Sequence, residues 1–230
     1  MASDKTFDYY YHFYFSNKNY FEFKISIDIE KKIFVNDRET PEEFKKFTDL
    51  ENNKCSNCPL NQKDFPECPV AKNILSITND FKDHFSYEEV LIKVITPKRS
   101  FSKKIDTQKG LQSILGLVMA GSLCPHFDFL RPMTLFHLPF SDSAETFFRV
   151  TGFFMIGEYF SNPNEQFHID KLLKKYKELE TVNKGMLARI KGIEKHDASQ
   201  NAVVILQSFI DIFSIQFEFG LEDYKDFYKL

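Results

Sequence analysis

Four cysteines are the residues of this chain whose types and spacing could do chemistry. Three share one polar segment, KCSNCPLNQKDFPECPVAKN, and the fourth lies far along the chain; they are Cys55, Cys58, Cys68 and Cys124. Cys55 and Cys58 have the Cys-x-x-Cys spacing, in which a tight turn points two sulfur atoms the same way. Cys68 follows closely enough to turn back toward them. The pattern therefore predicts a bound metal ion.

A tetrahedral thiolate site needs a fourth ligand, and Cys124 is the remaining cysteine. We expect Cys124 to complete the site, with His126 as the substitute ligand. Four thiolates suit structural zinc, and they also suit a [4Fe–4S] cluster. Proline follows Cys58, Cys68 and Cys124, which is typical of iron–sulfur ligands but common in any rigid loop. Zinc is the first prediction, a cluster is the alternative, and buried cysteines without metal are the third option.

A second group of candidate residues lies in or just after a proline-rich loop at 124–140. One interpretation makes them a polar pocket beside the metal, in which an arginine binds an anion. The other is local, because Glu145 can cap its own helix and pair with Arg149 one turn later. The pocket candidates are His126, Arg131, His137, Glu145 and Arg149.

A basic stretch, PKRSFSKK at 97–104, follows a predicted strand and precedes a predicted helix. Phosphates favour helix N-termini, where free backbone N–H groups point at the ligand. The stretch has no glycine-rich loop, so it is neither a P-loop nor a dinucleotide-binding motif, and a solvated basic loop is the simpler explanation. The candidate anion-binding residues are Lys98, Arg99, Lys103 and Lys104.

The elements that position these residues change character along the chain. Residues 7–35 alternate aromatic and β-branched with polar residues, which predicts an antiparallel meander whose third strand is KKIFV, and YEEVLIKVIT predicts a further strand. After residue 105 the apolar period becomes helical. The predicted fold class is α+β: an N-terminal antiparallel sheet and a C-terminal bundle of about four helices, joined by the cysteine metal site.

We expect these parts to form one integrated domain over residues 1–230, with a sheet-rich half at 1–104 and a helical half at 105–230. No internal repeat or flexible linker separates the halves, and Cys124 would tie them together. The helix that begins after Asp142 is apolar nearly all round, which predicts a central position in the bundle.

The composition is that of a soluble globular protein with an excess of phenylalanine. The chain has 230 residues, 43% apolar and 27% charged, with 27 Phe and no Trp. Phenylalanine has no polar group, so an aromatic-rich core is predicted ahead of a ligand cavity or a dimer face. The net charge of −3 predicts no nucleic-acid partner, and the apolar runs are too short for a membrane span. The start, MASDKTFDYYYHFYF, predicts no secretory signal and a cytoplasmic location, where thiols stay reduced.

The cysteine segment and two histidine-containing motifs also carry a resemblance. The pieces CSNCPL, CPVA, CPHFDFLRPM, HLPF and NAVVIL, in this order, resemble an uncharacterised bacterial family of cytoplasmic proteins of this size, a domain of unknown function. The resemblance spans most of the chain. It implies that the cysteines belong together, and it supplies no activity.

The motifs favour a binding protein over an enzyme. The chain has neither Gly-x-Ser-x-Gly nor His-Glu-x-x-His, and the zinc deaminase pattern is incomplete. The first hypothesis is a non-enzymatic, metal-stabilised regulatory or sensory module that binds a protein partner or a small ligand, with a homodimer as a further option. The alternatives are an iron–sulfur redox protein or sensor, and an enzyme with its active site in the loop 124–140.

Overall fold

The computed structural model describes residues 5–164, 168–193 and 195–219, and it has the predicted α+β architecture. One antiparallel sheet of four strands, in the order β2-β1-β3-β4, comes mainly from the first half of the chain, and helices follow it. The strands are β1 Thr6–Phe15, β2 Tyr20–Asp28, β3 Glu89–Ile95 and β4 Ser100–Asp106. The fold class and the N-terminal antiparallel sheet are therefore confirmed.

The strand order differs from the predicted meander. The segment KKIFV contributes only an isolated bridge between Ile27 and Phe34, and the Phe34 amide, which points away from β2, donates to the carbonyl oxygen of Gly121 at 2.8 Å. Strand β1 pairs with β2 as predicted, and its second partner is β3, with Tyr10 opposite Ile95. The central strands are thus β1 and β3, which lie about eighty positions apart in the sequence, a pairing that a local pattern cannot specify.

The inner face of the sheet is buried because apolar side chains alternate along each strand. Tyr11 and Phe13 of β1 are 0% exposed, as is Ile92 of β3. Gly110 allows a helix to approach this face closely, since a Cβ atom there would lie 2.1 Å from Cδ1 of Ile92. The sheet therefore presents an aromatic-rich surface to the helices.

The helices cover this inner face and build the rest of the core. They are α1 Lys45–Thr48, α2 Pro69–Asp80, α3 Thr107–Ala120, α4 Ser143–Ser161, α5 Ile169–Ile190 and α6 Ala198–Phe219, with short 3₁₀ helices at Glu42–Phe44, Pro125–Phe127 and Arg131–Phe136. Helix α3 packs on the sheet and against α6, and α5 packs against α6 and the Pro125–Phe127 turn. No helix in the described ranges is both long enough and apolar enough to cross a bilayer.

Helix α4 begins as predicted but is less buried than predicted. Asp142 and Glu145 form a capping box, yet Ile156 is 58% exposed and Phe160 is 77% exposed. Within the described residues α4 packs mainly against α6 and the Arg131–Phe136 turn. The apolar residues on all sides of α4 therefore do not place this helix at the centre of the bundle.

Candidate functional site

Three separate segments bring the four cysteines toward α5. Cys55 and Cys58 occupy a turn after α1, in which the Cys58 amide donates to the Cys55 carbonyl oxygen at 3.0 Å. Cys68 is the N-cap residue of α2, and Cys124 is the N-cap residue of the Pro125–Phe127 turn. All four are free thiols, two of them buried and two half-buried.

The thiols lie within electrostatic range of one another. Burial, followed by negative charge on Cys68 and then Cys58, raises the pKa of Cys55 to about 11. Burial raises the pKa of Cys124 to about 12; a hydrogen bond from the His126 backbone N–H opposes the rise, and charge on the other three cysteines adds to it. Within the described ranges, no three histidine, cysteine or carboxylate side chains stand in metal-coordinating geometry. The four thiols are therefore neighbours, but their sulfur atoms would have to move closer together to bind one ion.

A buried guanidinium lies beside three of these thiols, those of Cys55, Cys58 and Cys68. Arg189 of α5 is 3% exposed and donates to three backbone carbonyl oxygens in the segment 47–50 at 2.5, 2.8 and 3.2 Å. Its Nε has no hydrogen-bond partner, and it forms no ion pair within the described parts of the chain. Burial lowers its pKa, whereas negative charge on Cys68, then Cys55, then Asp49 raises it. A buried cation of this kind is stabilised by anionic neighbours.

His126, in the Pro125–Phe127 turn, contacts both the turn of Cys55 and Cys58 and helix α5. Its Nε2 lies 2.9 Å from the carbonyl oxygen of Asn57, and its Nδ1 lies 3.3 Å from the Glu178 carboxylate. The Asn57 side-chain amide also donates to the Glu178 carbonyl oxygen at 2.9 Å. Both ring nitrogens of His126 are therefore engaged, and metal binding by His126 would require one contact to break.

Gly185 allows the Cys55 turn to approach α5. A Cβ atom at Gly185 would lie 2.8 Å from the Cys55 sulfur and 3.4 Å from the Asn53 carbonyl oxygen. Gly185 and Arg189 are four residues apart, so they share one face of the helix. Sequence reasoning missed both residues, although an isolated glycine inside a helical pattern is a signal of close packing.

The pocket candidates divide into local and cavity-lining residues. Arg131 pairs with Asp128 at 2.5 Å and donates to the Ser122 carbonyl oxygen at 3.1 Å. Glu145 completes the capping box of α4. Neither side chain lines a described cavity, so the local interpretation accounts for both of them.

His137 and Arg149 line two adjoining cavities. The inner cavity, of ≈ 170 Å³, lies among α3, α4, α5, α6 and the loop before α4. The outer cavity, of ≈ 260 Å³, lies between that loop and the β3–β4 hairpin. His137, Leu138 and Arg149 belong to both linings. The inner cavity has an apolar wall that includes Leu117, Met119, Leu130, Met133, Val150 and Leu206.

A hydrogen-bond network fixes His137 at the boundary. The Tyr11 hydroxyl lies 2.5 Å from His137 Nε2 and 3.0 Å from Ser113 Oγ, and the Tyr9 hydroxyl accepts from the His137 N–H at 3.2 Å. Burial, and then the positive charge of Arg149, lowers the pKa of His137 to about 3. Burial raises the pKa of Tyr11. At neutral pH the network therefore contains a neutral imidazole and a protonated phenol.

The basic stretch at 97–104 divides between the outer cavity and the open surface. Lys98 and Arg99 line the cavity with Arg149. Lys103 is exposed on β4, and Lys104 pairs with Glu89 across the hairpin at 2.5 Å. Most of the stretch is strand β4 rather than the predicted loop. The structure thus joins part of the predicted anion site to part of the predicted pocket.

Comparison with known proteins adds family membership. The model of DUF6901, a domain of unknown function, matches residues 9–229. The chain belongs to this family. The match confirms the predicted membership of an uncharacterised domain-of-unknown-function family. No curated protein and no solved structure matches the chain.

Proposed function

We propose that this member of DUF6901 is a non-enzymatic cytoplasmic module, stabilised by zinc, that acts by binding a small ligand. The zinc ligands are Cys55, Cys58, Cys68 and Cys124. The observation that carries the proposal is the gathering of four free thiols from three segments, with Cys55, Cys58 and Cys68 beside the buried cation Arg189. A divalent metal with four thiolates has net negative charge, which offsets the charge of Arg189.

The donor set fits structural zinc. Zinc prefers tetrahedral sulfur ligands, and a site with four protein ligands leaves no open position for a substrate. Gly185 leaves room for the Cys55 sulfur at α5, and the Arg189 Nε is a buried donor without a partner, to which a thiolate is a suitable acceptor. When bound, zinc would cross-link three segments, which are the turn of Cys55 and Cys58, the start of α2 and the Pro125–Phe127 turn.

Zinc is preferred to an iron–sulfur cluster because the prolines have a local explanation. Pro69 is the first residue of α2 after Cys68, and Pro125 is the first residue of its 3₁₀ helix after Cys124. Proline is common at this position, where its missing N–H costs no helical hydrogen bond. The positions of Pro69 and Pro125 at the start of helices therefore explain two of the three Cys-Pro steps without an iron–sulfur cluster.

A ligand-binding role is preferred to an enzymatic one because of the residues around His137. Ser113 Oγ lies 3.5 Å from His137 Nε2, but neither described cavity has an aspartate or glutamate in its lining. A histidine base that activates a serine is generally oriented by a third group, most often a carboxylate. The apolar wall with a few polar groups is instead typical of a small-molecule binding site.

Metal analysis of purified protein and its variants tests the proposal. We expect one zinc per chain, and we expect Cys55→Ser and Cys58→Ser to lose zinc and melt at lower temperature, because metal binding and folding are coupled. Ser56→Ala changes an exposed residue of the same turn and is the matched control. If the purified protein contained iron and inorganic sulfide instead of zinc, the iron–sulfur cluster would be the correct assignment. Full zinc content and an unchanged melting curve in both cysteine variants would refute the ligand assignment.

A further inference from the structure

We infer that the two cavities beside His137 form one cleft that binds an organic carboxylate with an extended apolar body. The inference rests on the ligand-binding part of the proposed function and names its ligand class. It uses residues other than the cysteines, so the cleft and the metal site can fail independently.

Among the residues that the structure describes, the outer cavity has three cations and no anion in its lining. The cations are Lys98, Arg99 and Arg149, and no described aspartate or glutamate lines the cavity. None of the three forms an ion pair within the described residues. Arg149 is half-buried, and its Nη2 donates to the Phe136 carbonyl oxygen at 2.6 Å, which holds the guanidinium at the wall that both cavities share. Its remaining N–H groups suit a carboxylate, which accepts two parallel hydrogen bonds from a guanidinium.

The apolar surface extends from the cations in both directions. Phe7, Phe101 and Leu135 line the outer cavity beside the cations, and the inner cavity continues beyond Arg149 with the apolar wall described above. An inorganic anion would leave both surfaces uncovered, whereas an apolar body in the inner cavity would bury the wall there and gain about 25 cal/mol per Å² of apolar area removed from water. The cleft therefore matches an amphiphilic acid better than free phosphate.

His137 acts as a positioning residue at the junction. Its Nε2 is held by the Tyr11 hydroxyl, and its ring packs edge-on against Tyr9 with centroids 5.5 Å apart. A neutral ring fixed in this way separates the charged outer part from the apolar inner part without adding a second buried cation beside Arg149. The carboxylate would lie on the Arg149 side of the ring and the apolar body on the inner side.

Calorimetric titration of the 230-residue protein, as purified, with decanoate tests the inference. Acetate has the same head group without the apolar body, and decanol has the same body without the charge. We expect decanoate to bind and decanol to bind roughly 10- to 100-fold more weakly, the range for a charge-assisted hydrogen bond. Acetate should bind more than roughly 100-fold more weakly, because it lacks the methylene groups that the apolar wall would bury. Acetate or inorganic phosphate binding as tightly as decanoate would overturn the apolar requirement, and equal binding of decanol would overturn the anionic one. No binding of decanoate would overturn the inference itself.

Variants assign the binding to this cleft. Arg149→Met removes the charge at similar length and should weaken decanoate binding by roughly 10- to 100-fold. Lys103→Met removes an exposed cation outside both linings and should change nothing. Wild-type affinity in the Arg149 variant would contradict the assignment. Decyl phosphate binding about tenfold more tightly than decanoate would replace the carboxylate class by phosphate esters. Zinc content, measured on the same samples, separates failure of the cleft from failure of the metal site.

Discussion

At the scale of single residues, burial affects two groups on which the proposed sites depend, Arg189 and His137. Arg189 is a buried cation beside three of the four thiols, and His137 is a neutral imidazole between a phenol and a guanidinium. A pKa shift in a folded protein is also a contribution to stability, because the two states then bind protons differently. His137 therefore makes the protein sensitive to acid in a way that can be measured.

We predict that His137 destabilises the fold as pH falls below 6.5. Its pKa falls from an ordinary value of 6.5 to about 3 on folding, so the unfolded chain takes up the proton first. The contribution of neutral His137 to stability is fully present above pH 6.5. It is lost progressively as the pH falls toward about 3, the pKa of His137 in the folded protein. Between pH 7 and pH 5 the loss from this one group is about 2 kcal/mol. Urea unfolding at the two pH values measures it.

The matched comparison uses His137→Gln, which keeps a hydrogen-bonding side chain but does not titrate. Its stability should fall by about 2 kcal/mol less than wild type between pH 7 and pH 5. The cysteine site is common to both proteins, so its own acid sensitivity cancels. His168→Gln, which removes an exposed histidine before α5, is the control. Equal pH dependence in wild type and His137→Gln would show that His137 is not held neutral.

At the scale of elements, α5 is the support for the cysteine site. Gly185 faces the Cys55 turn, Glu178 contacts His126 and Asn57, and Arg189 holds the segment 47–50. The periodic pattern of α5 predicts its amphipathic character because the signal is local. These contacts join residues more than fifty positions apart, so the sequence alone could not show which face of α5 supports the cysteines.

We predict that Gly185→Ala lowers both zinc retention and stability. Replacing glycine by alanine inside a helix ordinarily stabilises by about 0.5–1 kcal/mol. Here the new methyl group would lie 2.8 Å from the Cys55 sulfur, so the sulfur must shift away from the position at which it would bind zinc. Gly152→Ala in α4 is the control, because nothing lies within 4 Å of a Cβ atom there. Urea unfolding and zinc analysis test the pair. A Gly185→Ala protein as stable and as zinc-rich as the control would contradict the prediction.

At the scale of the whole molecule, one hydrophobic core contains residues of the sheet and of all the longer helices. The α+β class was predictable, because a period of two in the first half and a helical period in the second are local signals. The pairing of β3 with β1 was not, and neither was the meeting of Lys98 and Arg99 with Arg149, because both depend on tertiary packing. The spacing of the four cysteines is typical of metal ligands, and metal binding by them stays a prediction.

The central claim is that thiolates from three segments bind one zinc ion. X-ray absorption at the zinc edge of the purified protein measures this most directly, because it reports the kind, number and distance of the ligands. The account predicts four sulfur atoms at about 2.3 Å and no nitrogen or oxygen in the first shell. Nitrogen or oxygen scattering at about 2.0 Å in place of two or more sulfurs, or a protein without zinc, would contradict it.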